Sequence, residues 1–127
     1  MKTRIIAEIG INHNGNINIG YKLIEEAKKA GVTSVKFQTY DPDLRFNKGN
    51  PFIETFRKFH LQFEEEFKLW IYAKSLNLEV ITTPFDISSV NFCKQKKHIL
   101  DGVKIASFET TNKKLVREVS SLNLTTF

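Results

Sequence analysis

A rhythm governs the 127 residues of this chain: a short apolar run followed by a helical pattern, four times over. Residues 4–9 predict a buried strand, and Asn12 to Asn18 an Asn- and Gly-rich turn. Residues 18–30 carry Ile19, Leu23, Ile24, Ala27 and Ala30 at helical spacing, with Asn18 as the N-cap and Gly31 just past the end. A second strand follows over 32–39. A helix over 62–76 holds Phe63, Phe67, Trp70 and Ala73, and a third strand over 78–83 is stopped by Pro84. Asp86 caps a short helix holding Val90 and Cys93, and residues 101–106 predict a fourth strand. Thr111 or Asn112 caps a last helix with Leu115, Val116, Val119 and Leu122, and 123–127 read as the start of a fifth strand.

Such alternation predicts an α/β fold with a parallel sheet and helices packed outside it. Two architectures compete, a doubly wound open sheet and a (β/α)8 barrel. A full barrel takes about 250 residues, so this chain is the length of an N-terminal half, four βα units plus the start of a fifth strand. No G-x-G-x-x-G or G-x-x-x-x-G-K-[ST] pattern is present, which weakens the nucleotide-binding open sheet. Tyr40–Leu61 breaks the rhythm. Its charged residues alternate with Phe46, Phe52, Phe56 and Phe59, so it reads either as a lid over the strand ends or as a packed excursion with a short helix near 52–59.

Composition removes several classes. Hydrophobic residues make up 41% and charged residues 26%, a globular balance. No apolar run approaches the roughly 18 residues of a membrane span, and no signal-peptide core precedes Glu8, so a cytoplasmic setting is expected. The Asn123 sequon therefore carries little weight. A single cysteine, Cys93, excludes an internal disulfide and a Cys-rich zinc site, and its apolar helical surroundings place it in the core. The net charge of +5 suits small anions such as phosphate esters. The densest basic run, Lys94 to His98, lacks interleaved aromatics and reads as a solvated helix end, so nucleic acid is not the expected partner.

In parallel α/β folds, ligands bind at the C-terminal ends of the strands. Those ends carry Glu8, Asn12 and His13, then Lys36, Gln38 and Thr39, then Thr82, Thr83 and Asp86, then Lys104, Ser107 and Glu109. Strand alternation puts Glu8, Lys36, Gln38 and Lys104 on the face opposite the apolar residues. A buried lysine is costly unless it meets a carboxylate or an anionic ligand. Two inward lysines and one inward glutamate predict either a site for a multiply charged anion or an internal ion pair from Glu8 to Lys36 or Lys104. His13, His60 and His98 lack metal-ligand spacing, and His13 alone is a loop histidine or an acid–base group.

Four motifs carry a resemblance: Ala7-Glu8-Ile9-Gly10-Ile11-Asn12-His13-Asn14-Gly15, Val35-Lys36-Phe37-Gln38-Thr39, Thr83-Pro84-Phe85-Asp86 and Lys104-Ile105-Ala106-Ser107. In this order and spacing they resemble the N-terminal half of the sialic acid synthase family, whose products are N-acetylneuraminate, legionaminate and pseudaminate. The resemblance implies a (β/α)8 barrel with a small antifreeze-like C-terminal domain, and residues 1–127 as its partial barrel domain. It implies condensation of phosphoenolpyruvate with an N-acylated amino sugar such as N-acetylmannosamine, release of phosphate, Mn2+ or Mg2+, and a homodimer in the full-length form. It implies Lys36 and Lys104 as phosphoenolpyruvate ligands, and Thr83 and Ser107 as hydroxyl donors. It further implies Gln38 and Glu8 at the sugar, Glu109 in proton transfer or contact with the intermediate, and Asn12 and His13 shaping the rim.

Two features depart from a single branch. Lys-Ile-Ala-Ser-Phe108-Glu is similar to the pseudaminate type, whereas Asn-His-Asn-Gly is similar to the sialate and legionaminate types. The sugar therefore stays open. The family's metal-binding histidines belong to the second half of the barrel, and an arginine comes from a partner's C-terminal domain. The 127 residues alone are thus expected to be inactive, with a half-barrel that pairs with another chain, or a catalytically dead module keeping an anion pocket, as the alternative. A sugar-phosphate synthase of the same superfamily is the sister reading.

Overall fold

A computed structural model describes residues 3–47 and 49–127. Its strands are β1 (Ile6–Gly10), β2 (Ser34–Thr39), β3 (Glu79–Pro84), β4 (Gly102–Val103) and β5 (Thr125–Thr126). Its α-helices are α1 (Ile17–Lys29), α2 (Pro42–Arg45), α3 (Ile53–Phe59), α4 (Phe63–Ser75), α5 (Ile87–Gln95) and α6 (Lys113–Ser120), with 3-10 turns at Lys97–Ile99 and Ser107–Glu109. The sheet runs β1-β2-β3-β4-β5, every pair parallel and every neighbour sequential. Sequential parallel order is the topology of a barrel wall rather than of a doubly wound sheet, whose order reverses at a switch point.

The expected elements sit within a residue or two of their places, and the differences have local causes. The N-cap of α1 is Asn16, not Asn18. The chain turns at Asn14 (φ 53) and Gly15 (φ 71), and Asn16 Oδ1 then accepts from Asn18 N at 2.9 Å. Pro84 stops β3 as expected, and is itself the last residue of the strand, in register with Thr39, where its missing N–H is tolerated. The fourth strand is far shorter than 101–106, although Lys104 N still donates to Thr82 O at 2.8 Å and Ile105 N to Phe127 O at 3.0 Å. Asn112, one of two candidate caps, caps α6 by accepting from Leu115 N at 3.2 Å. The helix expected near 52–59 is α3, and α2 is an additional turn.

The helices cover one face of the sheet. Val35, Phe37 and Val80 from the strands pack with Ile24, Leu69, Trp70, Ala73, Val90, Cys93, Leu115 and Val119 from the helices. Cys93 is buried and free, as expected, and burial pushes its thiol far up, so it is inert. Gly20 of α1 allows close contact with α4; a Cβ there would lie 2.6 Å from Leu69 Cδ1.

Asp86 ties the helix layer to the strand ends. Its Oδ1 accepts from Ser89 N at 2.8 Å and Ser88 Oγ at 2.5 Å, and its Oδ2 from Ser89 Oγ at 2.8 Å and Asp41 N at 2.8 Å. An Asp86→Ala substitution strands these donors and removes the α5 cap, so a loss of about 2–3 kcal/mol is expected in urea unfolding.

The excursion is packed. Tyr40 Oη donates to Phe56 O at 3.0 Å, and the Arg45 guanidinium lies among Phe85 (3.8 Å), Phe56 (4.6 Å), Tyr40 (5.0 Å) and Phe46 (5.2 Å). Four rings around one cation pin the segment against the start of α5. Burial lowers Arg45 from the usual guanidinium range, with the Tyr40, Glu109 and Asp86 charges opposing. Burial likewise pushes the Tyr40 phenol up to about 12.

Candidate functional site

The β2–β3 register aligns Lys36 with Ile81 and Gln38 with Thr83, and β1 places Glu8 beside Lys36. These side chains share the sheet face opposite the helices, as strand parity requires. Lys36 Nζ lies 2.8 Å from Glu8 Oε2 and donates to Thr83 Oγ1 at 3.3 Å. The lysine side chain is 7% exposed while its glutamate partner is 59% exposed. A buried ammonium thus has one half-solvated carboxylate and one hydroxyl. That leaves a third N–H for another acceptor, and an anion entering from the open side would meet it first.

The other sequence-predicted residues divide by position. Gln38 and Asn12 lie side by side over Gly10; a Cβ on that glycine would sit 3.6 Å from Gln38 Nε2 and 3.9 Å from Asn12 Nδ2. Asn12 spends its amide on its own loop, donating to Ile9 O at 3.0 Å and Glu8 O at 3.2 Å. His13 is turned inward and braces the same loop, its Nδ1 accepting from Gly15 N at 3.1 Å. Burial lowers its pKa, the Gly10 backbone offsetting this in part and His60 adding to it, which favours the neutral ring. Lys104 is half-buried, and among the described residues its Nζ donates to Ile105 O alone, at 3.3 Å. Ser107 is exposed on the turn after β4. Glu109 stands outside the Lys36 cluster. It accepts from Asn112 Nδ2 at 2.9 Å and lines a neighbouring cavity of about 360 Å3 with Arg45, Phe85, Asp86 and Lys114.

A larger hollow of about 430 Å3 lies between α4 and α5, lined by residues such as Gln62, Phe63, Asn91 and Phe92. It belongs to the helix side and carries none of the clustered charges. Two residues at the strand ends were missed from sequence. Arg45 sits in a segment whose two short helices alternation does not reveal. Glu66 was detectable, since it falls on the buried stripe of α4 with Leu69, Trp70 and Ala73, where a carboxylate is out of place.

Among the described residues, no group of three or more His, Cys, Asp or Glu side chains is arranged to hold a metal ion. The residues present therefore do not by themselves fit the divalent cation that the resemblance implies. No helix in the described residues is long and apolar enough to cross a membrane.

A sequential parallel sheet with helices on one face, and with Lys36, Glu8 and Thr83 gathered on the other, is the architecture of half a (β/α)8 barrel. The chain belongs to the NeuB family, whose profile matches residues 23–126. It is 37% identical over 118 residues to an uncharacterized protein of Methanocaldococcus jannaschii, covering 93% of this chain and 34% of that protein. It is 33% identical to the N,N'-diacetyllegionaminic acid synthase of Campylobacter jejuni, covering 96% of this chain and 40% of the synthase. The crystal structure of the N-acetylneuraminic acid synthetase of Leptospira borgpetersenii, in complex with citrate, superposes with a TM-score of 0.90 at 28% identity. That match covers 99% of this chain and 44% of the synthetase. The chain thus spans well under half the length of these relatives.

Proposed function

We propose that this chain is the phosphoenolpyruvate-binding part of a nonulosonic acid synthase. In the reaction we assign to the whole enzyme, the C3 carbon of phosphoenolpyruvate attacks the aldehyde of an open-chain N-acylated amino sugar. The π pair forms the carbon–carbon bond, and the aldehyde oxygen takes up a proton. Water adds to the oxocarbenium carbon left at C2 and loses a proton, and the tetrahedral intermediate expels phosphate. The single observation that carries this reading is the buried Lys36 ammonium, held by Glu8 and Thr83 with one N–H unspent at the strand ends.

Lys36 holds the phosphate or carboxylate and offsets the charge that moves to the phosphate as it leaves. Thr83 and Ser107 supply hydroxyl donors, and Lys104 adds a second cation from β4. Glu8, half in solvent, and Gln38 face the sugar hydroxyls. Glu109 serves the proton transfers from the neighbouring cavity, and Asn12 and His13 hold the first loop in place. Metal ligands, a second wall and the dimer contacts come from outside these 127 residues, in the cytoplasm. The sugar is an N-acetylmannosamine-like or further acylated one.

Calorimetric titration of phosphoenolpyruvate into the 127-residue chain is expected to show one site. A phosphate-release assay with Mn2+ and N-acetylmannosamine is expected to show no turnover. Absence of binding overturns the reading. Phosphate release overturns only the assignment of activity to the whole enzyme.

A further inference from the structure

Glu66 of α4 is buried against the outer face of the sheet, 5% exposed. Its Oε1 accepts from Thr39 Oγ1 at 2.7 Å, and Thr39 Oγ1 lies 2.6 Å from Thr82 Oγ1. Thr39 and Thr82 are the outward-facing neighbours of Gln38 and Thr83, so this chain of hydroxyls clamps the strand ends from behind. No cation pairs with the carboxyl among the described residues. Trp70 Nε1, one turn further along α4, is buried beside the carboxyl and makes no hydrogen bond of full geometry.

A carboxylate in these surroundings has one hydroxyl donor to offset a large desolvation cost. Burial pushes Glu66 up to about 7, with the Thr39 hydrogen bond and the neighbouring Trp70 N–H opposing. The ionisable groups facing it are the Tyr40 phenol, which follows Thr39 at the end of β2, and the Cys93 thiol of α5. Both are raised and therefore neutral. Asp86, at the start of α5, adds further negative charge near Cys93. No cation among the described residues compensates its ionised form, which the Thr39 hydroxyl and the Trp70 N–H offset only in part.

We propose that Glu66 is a positioning residue that sets the anion affinity of the Lys36 site from behind the sheet, through the Thr39–Thr82 hydroxyl pair, and that the site holds its ligand more tightly when Glu66 is neutral. This rests on the reading of that site as the phosphoenolpyruvate pocket. With Glu66 protonated, the hydroxyl chain is satisfied without net charge. With Glu66 ionised, both threonine protons are drawn toward the carboxylate, and a negative charge stands on the opposite side of the sheet from Lys36. An entering anion meets a weaker field, and by linkage its binding raises the Glu66 pKa.

The test is phosphoenolpyruvate affinity of the native chain and of Glu66→Gln, measured from about pH 5.5 to about pH 8.5, on either side of the Glu66 midpoint. Taking the ratio of the two affinities at each pH cancels the ionisation of the ligand's own phosphate. The ratio is expected near one at the acid end. At the alkaline end the native chain is expected to bind about 3- to 10-fold more weakly, the size of one charge acting across a partly screened interior. A ratio that does not change with pH overturns the inference while leaving the pocket intact. Absence of binding by the native chain at every pH overturns the pocket and this inference together. If Glu66→Gln does not fold, NMR titration of the Glu66 side-chain carbon decides. Its midpoint is expected to rise when phosphoenolpyruvate is present, and a midpoint unmoved by ligand overturns the inference.

Discussion

Replacing Lys36 by methionine is expected to weaken phosphoenolpyruvate binding by about 100-fold or more, since charge-assisted hydrogen bonds to a buried cation contribute about 1.5–3 kcal/mol each. Two effects act in the same direction. The ammonium that meets the ligand is gone, and Glu8, now unpaired, stands beside the entering anion. Stability should move the other way or hardly at all, because methionine fills much of the volume without the cost of burying a charge. Lys36→Arg is the informative control. It keeps the charge but cannot place a compact ammonium between Glu8 and Thr83, so binding should fall less than in the methionine variant. Calorimetry and thermal melting of all three proteins check this. Unchanged affinity in Lys36→Met would reduce the Glu8–Lys36 contact to an internal ion pair with no ligand.

The second large effect concerns the loop that carries Asn12 and His13. Gly15 has φ +71, and a Cβ there would lie 2.4 Å from Lys58 O, a backbone atom of the excursion. Gly15→Ala is therefore expected to lose about 3 kcal/mol or more, combining left-handed strain of about 1–2 kcal/mol with a clash that only backbone movement relieves. Gly31 isolates the first contribution. It has φ +77 and nothing within 4 Å of the same hypothetical atom, so Gly31→Ala should show the strain alone. Urea unfolding of the two variants measures the difference. Equal losses would mean that the loop and the excursion part without cost, and that the excursion is a lid rather than a packed strap.

Much of the fold is legible in the residue order. Apolar runs of strand length, each followed by helical periodicity, leave few topologies, and the handedness and order of parallel strands then follow from short connections. Cap and boundary details were less visible. Asn16 and Asn18 are both good cap residues in a run of asparagines, and the choice fell to the left-handed turn at Asn14 and Gly15. The brevity of β4 was hidden for a different reason. Residues 101–106 are apolar enough for a strand, but Ser107–Glu109 winds into a turn that draws the chain out of the ladder.

Parity in the sequence was enough to put Glu8, Lys36, Gln38 and Lys104 on the face opposite the apolar residues, because side-chain alternation is a property of the extended backbone itself. Family membership was legible in the same stretch, through motifs whose spacing is set by strand ends. Tertiary structure alone decided which of those groups touch. Lys36 rather than Lys104 takes Glu8, since β1 is the neighbour of β2 and β4 lies two strands further on. Glu109 faces Arg45 across its own cavity because a 3-10 turn carries it past the strand end. The apolar stripe of α4 marks Glu66 as buried, but only packing against Thr39 without a cation pushes its carboxyl up to about 7. Alternation acts along a strand and is written in residue order; contacts between strands and desolvation arise only when distant segments pack.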